Sequence, residues 1–151
     1  DQGRLTPGQD RAFWALIAGW VPDFDGWAIA DAVANAGERR VMADLSRLDE
    51  LEAWTRSDRL WTRRAALVFT LPLARLPHPD AAQMAARERA LGWAAVYTAD
   101  SEWFIQKAVA WWLRTLSVHD AARVRAFLAE HGPQMKAFAR KDAARKLSSC
   151  A

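Results

Sequence analysis

Phe104-Ile105-Gln106-Lys107-Ala108-Val109-Ala110-Trp111-Trp112-Leu113-Arg114 is the stretch whose reading decides the fold. Its large apolar residues do not alternate. Ile105, Val109, Trp112 and, just beyond, Leu116 recur at helical spacing and make one apolar stripe. Trp112 is therefore a core residue. Lys107, Trp111 and Arg114 share the neighbouring face at i, i+4 and i+7. A tryptophan between two cations suits a sugar-phosphate backbone, and it equally suits a cation–π stack that covers the helix surface.

Outward from this segment the same pattern repeats, with Gly and Pro at the joints. Ser101 and Glu102 open the helix just read. Downstream, Asp120 opens another that Gly132 closes, and Pro133 leads into a basic final segment. Upstream, a helix runs from Asp80 to about Tyr97. A longer one starts at Ser57 and continues through Phe69 to be ended or bent by Pro72. Arg47 to Thr55 carries Leu48, Leu51 and Trp54. A helix from about Phe24 carries Ile29, Ala32, Val33 and Ala36 as its stripe and ends at Gly37. Thr6 and Pro7 cap and start the first helix, which reaches Trp20. No stretch alternates as a strand does. The fold class is all-α, and the short connections make neighbours antiparallel. Helix pairs of this length without a strict repeat predict a HEAT-like helical-hairpin solenoid, or αα superhelix, with a concave binding side. An irregular bundle is the alternative. One domain over residues 1–151 is expected.

Composition excludes several classes. The chain has 151 residues, of which 52% are hydrophobic, enough for a single buried core. The longest apolar run, Ala65 to Ala74, falls short of the roughly 20 residues a membrane span needs and contains Pro72. No membrane partner is expected. Asp1 to Asp10 show no basic-then-apolar order of a secretory signal, and the chain reads as a fragment whose start lies upstream. Cys150 alone can make neither an internal disulfide nor a metal knuckle. His78, His119 and His131 fall near helix ends without metal spacing, as surface residues. No metal, no cofactor and a cytoplasmic, monomeric protein are the expectations. Up to Arg75 there are 10 basic against 11 acidic residues, and beyond it 11 against 7. The basic second half favours a polyanionic partner, although a solvated face explains it too.

Of the tryptophans, Trp14, Trp20, Trp54, Trp61 and Trp93 sit at apolar positions and are assigned to packing. Trp27 is different, since it lies four residues before Asp31 on one helix face whose other members, Ala30 and Ala34, are small. A large aromatic beside a carboxylate on a smooth, open side is a ligand platform. Arg64 is the third oddity. Its helical neighbours are Leu60, Leu67 and Leu71, whereas Arg63 lies with Arg59 and Thr70 on the polar side. A guanidinium among leucines is costly unless it meets an anion. That anion is Asp31 or a phosphate, or Arg64 snorkels to the surface.

Trp27-x-x-x-Asp31, Trp61-Thr62-Arg63-Arg64-Ala65-Ala66, Phe104 to Ala108 running into Trp111-x-x-Arg114, and Arg140-Lys141-Asp142-Ala143 together resemble the successive signatures of the DNA alkylation repair (AlkD-like) glycosylases, over about Trp27 to Leu147. The resemblance implies a HEAT-like solenoid that holds duplex DNA in a basic concave groove and excises cationic N3- and N7-alkylated purines. It implies Asp31 as the catalytic carboxylate, Arg64 as a contact to backbone near the lesion, and Trp27 and Trp111 as aromatic walls against the deoxyribose. Lys107 and Arg114 take a DNA-backbone or a structural role. It also implies a bacterial protein that joins the nucleoid when bound. The family's N-terminal helices, with a tyrosine that aids DNA binding, have no counterpart here. The segment around Pro77, Pro79 and Asp80 is longer, Ala110 replaces the usual glycine, and Trp112 replaces a smaller residue.

The chemistry suits so sparse a site. Hydrolysis of a neutral glycoside generally needs two carboxylates. An alkylated purine already carries positive charge and leaves without a general acid, so one carboxylate suffices to stabilise the oxocarbenium-like sugar and position water. Indole faces favour the same developing cation. Most base-processing enzymes flip the target into a pocket, which this family is thought not to require. The competing reading is a non-catalytic DNA-binding or scaffold protein on the same fold. A protein-binding adaptor would instead expose an apolar concave face.

Overall fold

The computed structural model describes residues 5–23 and 26–147, the side chains of residues 27, 28 and 29 excepted. Helix starts follow the capping chemistry. Thr6 Oγ1 accepts from Gln9 N at 3.2 Å while Gln9 Oε1 accepts from Thr6 N at 3.0 Å, a reciprocal box that starts α1 (Pro7–Trp20). Asp80 and Gln83 build the same box at the start of α6 (Ala81–Tyr97). Asp120 Oδ1 accepts from Arg123 N to start α8 (Ala121–His131). Between these lie α2 (Trp27–Ala43), α3 (Leu48–Trp54), α4 (Leu60–Val68), α5 (Leu71–Arg75), α7 (Trp103–Ser117) and finally α9 (Ala137–Ala143), with short 3-10 turns over Val21–Asp23, Leu45–Arg47 and Gly132–Gln134.

The molecule is all-α, without strands among the described residues, as stacked layers of a helical-repeat solenoid would be. Helix α1 packs on α2, α2 on α4 and α5, and both of these on α7, against which α6, α8 and α9 also lie. Helix α7 is the centre of this stack. Ile105, Val109, Trp112, Leu113 and Leu116 have no exposed surface, and the indole Nε1 of Trp112 donates to Thr70 Oγ1 at 3.1 Å. Its start is held by Gln106. That buried amide donates to the carbonyls of Thr98 and Asp100 and accepts from Lys136 N, tying α6, α7 and α9 together.

Five expectations are corrected. The helix predicted to end at Gly37 continues to Ala43, because Gly37 faces the ring of Phe69. A Cβ there would meet Phe69 Cζ at 2.6 Å. The buried face of α2 is Ala30, Ala34, Gly37, Glu38 and Val41, while Ala32 and Ala36 are exposed and Val33 half-buried; Ile29 lies outside the described side chains, as does the expected start at Phe24. An alanine-rich helix carries too little hydrophobic contrast for its stripe to be read by periodicity alone. The helix predicted from Ser57 through Phe69 is α4, which starts only at Leu60, and Pro72 neither ends nor bends it but sits in the first turn of a separate helix, α5, where proline is tolerated. Thr70 is fully buried rather than on a polar side, and Trp20 is 46% exposed rather than packed.

Helix α1 is clamped by one carboxylate. Asp10 accepts from Arg47 Nη2 and from Arg40 Nη1, and Arg47 also donates to the Arg40 carbonyl at 2.6 Å. The Arg47 guanidinium lies 5.4 Å from the ring of Trp14, which stacks on Trp54. The Arg47 hydrogen bond, against the opposing effect of burial, holds the Asp10 carboxyl below its ordinary 3.8.

Two outcomes are expected. Gly37→Ala gains up to about 1 kcal/mol of helix propensity but overpacks against a fully buried ring at a cost of roughly 1–3 kcal/mol; urea melts should show net destabilisation. Because the Asp10 carboxyl binds its proton less readily when folded, the stability it contributes is present above its unfolded value and is lost as pH falls through the lower folded value. Asp10→Asn should flatten that acid limb of an unfolding-versus-pH curve and lower stability at neutral pH.

Candidate functional site

The small residues of α2 bring its backbone close to its neighbours, and this close approach places the functional candidates. Asp31 follows buried Ala30 and stands at the rim of the contact. Arg64 reaches it from α4, where Thr62 is also turned inward. Arg64 Nη1 donates to Asp31 Oδ1 at 2.8 Å, the carboxylate side chain being 41% exposed and the guanidinium side chain 7%. Of the three options open for Arg64, the structure selects the ion pair. The pair is asymmetric: a nearly buried cation presents an accessible carboxylate. Arg64 Nε is buried without a hydrogen-bond partner, so the guanidinium retains an unused donor.

Arg64 also begins a line of aromatic contacts. Its Cζ lies 5.7 Å from the ring centroid of Trp61, one turn earlier on α4. Trp61 meets Phe104 at 4.8 Å, and Phe104 meets Trp103 edge-on at 5.0 Å. Trp103 stacks on Phe138 of α9 at 5.5 Å with the planes 16° apart, and Lys107 Nζ lies 5.7 Å over the Trp103 ring. The Asp31 pair on α2 and α4 is thereby connected to the start of α7 and to α9.

The remaining expected residues fall as follows. Trp27 begins α2, and its side chain lies outside the described residues. Trp111 shares the face of Lys107, half-buried and packed against the core. Lys107 is exposed and turned toward Trp103 rather than Trp111. Arg114 Nη1 donates to Asp142 Oδ1 at 2.7 Å, so its guanidinium fastens α7 to α9. Sequence reading passed over Trp103 and Phe138, and took Phe104 only as part of a motif. The signal for Trp103 was present, since it precedes Lys107 by four and Trp111 by eight residues on one helix face. Phe138 carried none, because only the docking of α9 brings it there.

A second acid, Glu38, is on the same side of α2 two turns beyond Asp31. Burial pushes its carboxyl above the ordinary range, although Arg75 at 3.7 Å opposes this. About 10 Å along the helix axis and largely covered, it is badly placed to share one glycosidic bond with Asp31. Among the described residues no group of three or more His, Cys, Asp or Glu is arranged to hold a metal ion, and no helix is long and apolar enough to cross a membrane. His131 is half-buried against Phe127 rather than a free surface residue. The exposed cations Lys136, Arg140, Lys141 and Arg145 cluster on and around α9. What the arrangement offers chemically is an accessible carboxylate oriented by a nearly buried arginine, which itself lies against the ring of Trp61.

A family model described as DNA alkylation repair enzyme matches residues 3–147. No curated protein matches the chain significantly. Among solved structures, a predicted DNA alkylation repair enzyme from Enterococcus faecalis is similar in fold, with a TM-score of 0.72 and 22% identity over 97% of this chain. The chain spans 62% of that structure's length.

If Arg114 works as a fastener, Arg114→Met should lower stability by about 1–3 kcal/mol, the range for a charge-assisted hydrogen bond in a partly buried setting, with the loss concentrated in α9. Hydrogen exchange of the α9 amides against those of α4 is the measurement.

Proposed function

The chain belongs to the DNA alkylation repair enzyme family, and we propose that it hydrolyses the N-glycosidic bond of cationic alkylated purines, of the N3-methyladenine and N7-methylguanine type, in duplex DNA. The observation that carries this reading is the asymmetric pair of Asp31 and Arg64. A glycosidase that must protonate its leaving group needs a second carboxyl within reach, and Glu38 does not meet that need. A leaving base that is already cationic removes the requirement. The accessible Asp31 carboxylate then stabilises the positive charge that develops on the deoxyribose and orients the attacking water.

In this mechanism Arg64 has two tasks. Its hydrogen bond aims the carboxylate, and its positive charge, close behind that carboxylate, attracts a backbone phosphate beside the lesion. Trp111, and Trp27 on the helix of Asp31, supply aromatic faces against the sugar, where a cation is favoured. Lys107 and the cations around α9 draw the polyanionic backbone onto this side of the molecule. The partner is double-stranded DNA carrying alkylated bases. No step of the mechanism calls for a metal or an organic cofactor.

The test is base release from duplex DNA containing N7-methylguanine or N3-methyladenine, with wild type beside Asp31→Asn. Removing one electrostatic stabiliser of this kind costs roughly 100-fold in rate, and that loss is the expected result. Equal release by both proteins, or none above DNA alone, defeats the catalytic reading. Salt-sensitive binding without release would favour a non-catalytic DNA-binding role.

A further inference from the structure

We propose that the Trp103–Phe138 stack and the cavity beside it form a second DNA subsite, one that takes the base of an unpaired nucleotide. The inference rests on the reading of this chain as a DNA-binding protein and adds a site distinct from Asp31. The two rings are large, stacked and exposed, Trp103 by 49% and Phe138 by 36%. Rings that served only to fasten α7 to α9 would turn inward, as Trp112 does. Beside Phe138 a cavity of about 350 Å³ is lined by Phe138 itself, Lys141, Asp142 and Arg145. Lys141 and Asp142 follow Phe138 by three and four residues on one side of α9, and Arg145 joins them from the turn just after the helix. Lys107 lies over the Trp103 ring. The patch thus combines aromatic surface with three cations, the combination that holds single-stranded nucleic acid by stacking bases and tracking phosphates.

The occupant follows from what each group can engage. Cations alone would take any phosphate, paired or not. An aromatic face open to solvent gains most from another π face, and a fully stacked duplex hides those faces between its base pairs. Only a nucleotide released from the stack presents one. Asp142, on the same wall, is paired with Arg114 and Arg145 at Oδ1, so it anchors the wall and leaves the cations around it in excess. A backbone sugar lying on the rings is the competing way to use the same surface, and it would not distinguish paired from unpaired DNA.

The experiment is fluorescence anisotropy with labelled DNA of one sequence, presented as an intact duplex and as a duplex with a gap of about three unpaired nucleotides. Wild type is expected to bind the gapped DNA more tightly, by roughly fivefold or more. Phe138→Leu and Trp103→Leu keep apolar volume and remove the π face. Each should weaken gapped binding about tenfold, the loss of one stacked base, and leave intact-duplex binding within about twofold. Phe138→Tyr, which keeps the ring, should retain the preference, so that a general loss of folding is told apart from a loss of stacking. No preference for the gap, an equal loss on both DNAs, or a preference that survives both leucine variants overturns the proposal. Because the readout is binding, absence of base release with the gap preference intact would sink the glycosidic reading alone. Absence of all DNA binding sinks both.

Discussion

Helix α7 must be covered on most of its circumference, and the rest of the structure is arranged to do so. With Ile105, Val109, Trp112, Leu113 and Leu116 all fully buried, water has to be excluded by neighbours on several sides at once. Helices α4 and α5 cover one side, α9 another, and α6 and α8 the remainder. Burial of the Trp112 ring carries its N–H inward, where a donor without a partner would cost about 1–3 kcal/mol. Thr70 accepts that bond and so fixes the junction between α4 and α5. What α7 leaves uncovered is a strip from Trp103 through Lys107 to the half-buried Trp111. The surface with functional chemistry is the remainder of a packing problem.

Three nearly buried arginines show how differently one residue type is used. Arg47 is fully engaged by Asp10, a backbone carbonyl and the Trp14 ring. Arg87 donates to the carbonyls of Leu73 and Leu76 at 3.0 and 2.7 Å and closes the end of α5, and burial lowers its pKa. Both fasten one element to another, Arg47 holding α1 to the turn after α2 and Arg87 holding α6 to α5. Arg64 alone of the three faces a carboxylate open to solvent and keeps an unpartnered Nε. Burial of the cation is common to all three, and the accessibility of the partner separates Arg64, which we place in the proposed site, from the other two.

How much of this was legible follows from what each residue signals locally. The starts at Thr6, Asp80 and Asp120 were readable because capping is a contact between residues three apart. The stripe of α7 was readable because its large aliphatic and aromatic side chains contrast with Lys107 and Arg114. The stripe of α2 was not, since alanines differ too little from one another to reveal which face is buried. Gly37 signalled a helix end, its commonest local meaning, while its actual role depends on Phe69, remote in sequence. At the site, Asp31 and Arg64 were each recognisable, but their pairing was one option among three until α2 and α4 were packed together. Phe138 had no sequence signal at all, because its stacking partner lies on another helix.

Gly37 also sets a dimension of the molecule. The ring of Phe69 lies flush against bare backbone on α2, so the thickness of a phenyl ring becomes the gauge for the spacing of two layers. Asp31 is on the same rigid helix, less than two turns away, and its reach toward α4 inherits that gauge. The carboxylate's position is thus calibrated by a side chain that never touches it. Variation at residues 37 and 69 would therefore be constrained jointly, as two halves of one measurement, even though neither bears any reactive chemistry.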